Sequence, residues 1–123
     1  EGYKPFASVL VRPSSICPSK EKIVITTNTH TTMLRLNCFF QANEGRYDEA
    51  LQAAMALTAK SQSHQGCKAY DVFESATRPD VFMICETWQD QESLDLHAQT
   101  PEFVEYAGIL NDCGLLKIEK LEF

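Results

Sequence analysis

From Met33 onward the chain alternates between two hydrophobic rhythms. "MLRLNCFFQA" and "VFMICETW" are short β-prone apolar runs, and "CKAYDVFES" is a third piece of the same kind. Between the first and second, "RYDEALQAAMALTAKSQSH" places Tyr47, Ala50, Leu51, Ala54, Leu57 and Thr58 at helical spacing. Gly66 is read as the stop of that helix, and Arg78-Pro79-Asp80 as a turn between the second and third strands. Asp90 is placed to cap a helix carrying Leu94, His97 and Ala98. Thr100-Pro101-Glu102 then starts another, with a cap residue, proline in the first turn and an acid near the N-terminus. Phe103, Tyr106, Ala107 and Leu110 form its inward stripe. Gly114 ends it, and "LLKIEKLEF" closes the chain as a strand.

The resulting order is β-α-β-β-α-β, the split βαβ arrangement of an α+β, ferredoxin-like unit with helices on one face of an antiparallel sheet. Both faces of the first and third strands carry apolar residues: Leu36, Phe40, Phe82 and Ile84 on one, Phe39, Met83 and Cys85 on the other. A sheet apolar on both sides needs a second cover. A second copy of the chain supplies one, so a homodimer packed sheet to sheet is expected. Residues 1–32 have a different composition, rich in Ser, Thr and Pro, with the β-prone pieces "ASVLV" and "KIVITT". They read as an arm or added strands on a sheet edge, leaving 33–123 as the domain.

Composition narrows the function classes. A chain of 123 residues with formal charge -6 lacks the basic face that nucleic acid or an anionic membrane requires. No apolar run is long enough to span a bilayer. The five cysteines (Cys17, Cys38, Cys67, Cys85 and Cys113) contain no CxxC pair, which argues against a zinc knuckle. Cys38 and Cys85 lie in apolar runs and read as small buried hydrophobes; a disulfide at Cys17 would require export. The chain opens at Glu1 without a basic-then-apolar leader, so no signal peptide is expected within it. The compartment stays open, with the cytoplasm favoured over export.

The segments "RLNCFFQ", "GCKAYDVFES", "FMICETW" and "LDLHAQTPEF" together resemble the antibiotic biosynthesis monooxygenase family, nearest its quinol monooxygenase-like group. The resemblance rests on Gly66-Cys67 with Tyr70, on Glu86-x-Trp88 and on His97 to Phe103, and leaves residues 1–32 outside. It implies a dimeric α+β barrel that oxygenates an electron-rich phenol or hydroquinone using dioxygen, without metal, flavin or haem. Such a reaction needs a flat apolar pocket, a base for the phenolic proton and exclusion of water. A histidine suits the base, and aromatic walls suit the ring.

His97 is the candidate proton acceptor, against the alternative of a satisfied core histidine. Asn37 lies opposite Leu36 and Cys38 by strand alternation. The resemblance implies a first-strand asparagine aimed into a pocket between sheet and helices, where its amide would orient oxygen atoms; the other readings are an amide satisfied by neighbouring backbone or one lying in the dimer interface. Tyr70 is a candidate hydrogen-bond donor, and Trp88 and Phe39 are candidates for ring contact, each with core packing as the other reading and the dimer interface as a further one for Trp88. Glu86 is expected to orient His97, to pair with an arginine such as Arg35, or to sit as a solvated strand-end charge. His30 and His64 are expected at the surface. Nothing has metal-ligand spacing, since His97 and Glu86 lack a convincing third ligand. Haem-degrading enzymes of the same fold hold iron through a histidine beyond the Phe of a segment like "PEF". Here that stretch reads Val104-Glu105-Tyr106-Ala107, and His97 would have to serve instead. A non-catalytic dimer binding a small apolar molecule, and an isomerase on the same barrel, complete the alternatives.

Overall fold

Strand alternation becomes a four-stranded antiparallel sheet in a computed structural model, which describes residues 32–123. The elements are β1 (Leu34–Ala42), α1 (Tyr47–Ser61), β2 (Cys67–Glu74), β3 (Val81–Trp88), α2 (Gln91–Ala98), α3 (Pro101–Cys113) and β4 (Gly114–Glu122). Sheet order is β2-β3-β1-β4 with every neighbour antiparallel. This is the ferredoxin-like α+β fold, its second helical segment divided into α2 and α3. Residues 1–31 of the expected arm, with Cys17 and His30, lie outside the described residues.

The period of two fixes which face each strand buries. Leu34, Leu36, Cys38, Phe40 and Ala42 of β1 are all buried, and they meet Phe82, Ile84 and Trp88 of β3 and Ala50, Ala54 and Leu57 of α1. Phe40 and Phe82 stack with ring centroids 4.7 Å apart. Small residues on α1 (Ala50, Ala53, Ala54) let that helix lie close against the sheet. The opposite face carries Arg35, Asn37 and Phe39 beside Thr87, Cys85 and Met83, as the β1–β3 register requires. Among the described residues no helix covers it, and Phe73, Leu115 and Leu121 stand exposed there or at its margins.

Both predicted caps form. The Asp90 side chain accepts from the Ser93 N–H at 2.8 Å, and the Thr100 hydroxyl accepts from the Phe103 N–H at 3.2 Å. The boundary of α1 differs from the expected one. It ends at Ser61, and residues 62–66 form a turn in which the His64 N–H donates to the Ser61 carbonyl at 2.9 Å. Gly66, at φ +83, belongs to that turn and feeds β2, so it stops the helix at one remove.

Candidate active site

Three segments converge beneath the helices at one end of the sheet. β2 contributes Tyr70 and β3 contributes Glu86 and Trp88, all on the helix-facing side, and the last turn of α2 contributes His97. These four are buried together, with His97 only 2 % exposed. Its imidazole lies 4.5 Å from the Trp88 ring, 5.7 Å from Tyr70 and 4.9 Å from Phe103, centroid to centroid. Tyr70 meets Trp88 edge-on at 6.3 Å. The histidine is thus walled by three aromatic rings at contact distance.

Glu86 sits at the base of this enclosure. Its carboxylate accepts from the Trp88 indole N–H at 2.8 Å and from the Cys38 thiol at 3.4 Å. Burial raises the Glu86 carboxyl above its ordinary value, while the Trp88, Cys38 and Tyr70 donors oppose that rise. Burial first, and then the negative charge of Glu86, push the Tyr70 phenol up. The Cys38 thiol is raised for the same two reasons. Glu86 therefore holds the indole that faces His97. Among the described residues it pairs with no arginine: Arg35 donates instead to the Thr87 hydroxyl at 2.7 Å on the other face. It is also no solvated strand-end charge, being 4 % exposed.

On its outer side His97 is met by His64, which is not the surface residue the sequence suggested. The two Nδ1 atoms lie 3.0 Å apart, and His64 Nε2 lies 2.7 Å from Glu102 Oε2 in the first turn of α3. His64 reaches this position because the turn before β2 presses against α2. The Gln89 N–H donates to the Gly66 carbonyl at 2.8 Å, and a side chain at Gly66 would overlap Ser93. The far nitrogen of His97, Nε2, is buried and has no hydrogen-bond partner. Burial, followed by the neighbouring His64, lowers the His97 pKa from 6.5 to about 4, so the ring is neutral at physiological pH.

Two expected site residues lie elsewhere. Asn37 and Phe39 are on the helix-free face, where the Cys85 thiol donates to Asn37 Oδ1 at 3.6 Å. The reason is the period of two: Leu36, Cys38 and Phe40 occupy the helix side, so their odd-numbered neighbours cannot. The helix-side pocket expected to receive the Asn37 amide is therefore closed to it. Among the described residues no cluster of three or more His, Cys, Asp or Glu side chains is arranged to hold a metal ion. The four described cysteines (Cys38, Cys67, Cys85 and Cys113) are free thiols. A surface depression of about 360 Å³ lies along the β2 edge, lined by Gln62, Cys67, Lys68 and Tyr70 among others. His97 does not line it.

Comparison with known proteins agrees with this architecture. The family model for antibiotic biosynthesis monooxygenases matches residues 33–108. A Bacteroides thetaiotaomicron VPI-5482 protein of unknown function, suggested to be an oxidoreductase, is 50% identical, with TM-score 0.74 over 76% of this chain and 100% of that one. YcnE of Bacillus subtilis (strain 168), which carries a provisional monooxygenase name, is 27% identical over 71 residues, 58% of this chain and 75% of YcnE. The Synechocystis protein sll1783 is 32% identical over 59 residues, 48% of this chain but only 40% of that protein. With a family match over more than half its length and the fold to go with it, the chain belongs to the antibiotic biosynthesis monooxygenase family, and a monooxygenase-like function comes with that membership.

Proposed function

We propose that this chain is a cofactor-independent monooxygenase that oxidises quinols or related polycyclic phenols with dioxygen. The observation that carries the reading is the His97 Nε2 atom, buried without a partner inside a wall of Tyr70, Trp88 and Phe103. A neutral imidazole with a free lone pair can take a phenolic proton, and aromatic faces suit a flat ring. In this scheme His97 is the proton acceptor, Tyr70 and Trp88 contact the substrate, and Glu86 fixes the Trp88 indole. The rings around His97 already touch, so a substrate ring enters by displacing part of the enclosure. The eight-residue α2 is the light side of it, with only Ser93 and His97 buried.

The chain works, in the same proposal, as a homodimer joined through the helix-free faces of the sheets. Asn37 and Phe39 then belong to the dimer interface and not to the substrate. Supporting this are the apolar residues Met83 and Phe73 on a sheet face that, among the described residues, no helix covers. The closed packing around His97 favours a second reading, a non-catalytic module that binds a small apolar molecule. Oxygen uptake by metal-stripped protein given a reduced naphthoquinol, corrected for autoxidation, separates the two. Monooxygenation gives protein-dependent uptake with an oxygenated product, and His97→Ala lowers it by about 10²- to 10⁴-fold, the range for loss of a positioned base. Uptake at the chemical background rejects the enzyme. Uptake unchanged in His97→Ala keeps the enzyme and rejects the base.

A further inference from the structure

His97 is only the inner end of a chain of three hydrogen-bonded groups that runs from the aromatic enclosure to the surface. His64 bridges its Nδ1 to the Glu102 carboxylate, at 3.0 and 2.7 Å. Exposure increases outward: His97 is buried, the His64 side chain is 13% exposed and Glu102 is 30% exposed. With both imidazoles neutral, the proton positions follow by elimination. Glu102, held below its ordinary carboxylate value chiefly by the His64 hydrogen bond, is an acceptor only. His64 must then carry its proton on Nε2, which leaves His64 Nδ1 as a lone pair. His97 must donate to that lone pair from Nδ1. Its single proton is thereby used, and Nε2 is left bare inside the enclosure.

We propose that Glu102 and His64 are positioning residues that set the tautomer of His97 and hold the proton it accepts. The proposal rests on His97 being the base named above. When Nε2 takes the phenolic proton, the substrate O–H bond breaks and an N–H bond forms at Nε2, the Nδ1–H bond of His97 breaks, and a new N–H forms at His64 Nδ1. The positive charge then rests on His64, against the Glu102 carboxylate, and His97 remains neutral among the aromatic rings. The same two transfers in reverse return the proton. This arrangement answers a difficulty of the buried site, where an imidazolium at His97 is disfavoured by desolvation. The other ionisable groups near the trio are Tyr70 on β2 and Lys60 near the end of α1, with Glu86 of β3 behind Tyr70 and Trp88. None of these three makes a hydrogen bond to either imidazole.

Nitrogen-15 NMR of the histidine rings tests this without reference to turnover, in the wild type and in Glu102→Ala at mildly alkaline pH. Glu102 is part-exposed, so its removal leaves the core intact. The expected wild-type spectrum has His97 protonated on Nδ1 and bare on Nε2, with His64 protonated on Nε2. In Glu102→Ala both rings become tautomer mixtures. A proton on His97 Nε2 in the wild type, or tautomers unmoved by Glu102→Ala, overturns the proposal. In the naphthoquinol assay Glu102→Ala is expected to lower kcat by about tenfold or more with little change in KM, and an unchanged kcat counts against the relay. A wild type that consumes no oxygen removes the monooxygenase reading alone, because the spectra still decide the tautomers.

Discussion

Gly66→Ala is the sharpest probe of how the site is assembled, because Gly45 provides its own control. Both glycines sit at nearly the same backbone angle, φ +83 and φ +80. An alanine in that left-handed region costs about 1–2 kcal/mol at either position. Their surroundings differ. A Cβ at Gly45 meets nothing within 4 Å, whereas one at Gly66 overlaps both Oγ and Cβ of Ser93 on α2. The Ser93 hydroxyl can rotate away, but its Cβ moves only with the helix, and such overpacking adds about 1–3 kcal/mol. Gly45→Ala is therefore expected to lose about 1–2 kcal/mol and Gly66→Ala about 2–5 kcal/mol. Urea denaturation followed through Trp88, the only tryptophan of the chain, measures both. Equal losses at the two positions would refute the claim that close approach of the 62–66 turn to α2 holds His64 against His97.

Three further outcomes follow from the same geometry. Trp88→Phe strands a buried Glu86 oxygen by removing its 2.8 Å indole donor, and circular dichroism in urea should register a loss of about 1–3 kcal/mol for that group alone. The His97 pKa falls on folding, so the unfolded chain takes up the proton first as pH drops; wild-type stability should be full above pH 6.5 and decline toward about 4. His97→Phe should lack that decline, and denaturation curves of the two proteins that stay parallel across the window would contradict the assignment. On the helix-free face, Phe73→Glu should halve the mass seen by sedimentation velocity if the sheets pair, while Val104→Glu, exposed on α3, should leave it unchanged.

The strands, the caps and the sheet's inner face were legible because each rests on short-range rules. Alternation alone puts Leu36, Cys38 and Phe40 on one side of β1, and Asp90 and Thr100 cap as their side-chain chemistry dictates. The same alternation also placed Asn37 and Phe39 away from the helices, against what the family resemblance implied for Asn37. The strand rule prevails there because a one-residue shift would expose the whole apolar set. Register decided Glu86 as well. Pairing Leu36 with Glu86 and Arg35 with Thr87 puts the carboxylate inside and the guanidinium outside, and β1–β3 register is not readable from either strand alone. His64, following a helix end, reads from sequence as a surface residue. Its burial depends on Gly66 meeting Ser93, a contact between segments with no local signature. Glu102, likewise, reads as a first-turn acid favoured by the helix dipole, and that role hides its bond to His64.

The polar groups of the enclosure are hard to explain as devices for stability. A buried carboxylate raised by desolvation, and a buried imidazole nitrogen with no partner, each weaken the fold relative to apolar residues of similar size. Elsewhere the inner face of the sheet is apolar, with Leu34, Phe40, Phe82 and Ile84 packed against alanines and leucines. The polar expense is concentrated at one end, where Glu86, Tyr70 and His97 meet beneath the junction of α2 and α3. Local departures of this kind gather where a protein needs chemistry more than packing. The His64–Glu102 pair sharpens the point. A core histidine needing only satisfaction would present both nitrogens to partners, yet here Nδ1 has a partner and Nε2 has none. That asymmetry suits a group that must receive a proton from something not yet in the enclosure, and it gives purely structural packing nothing.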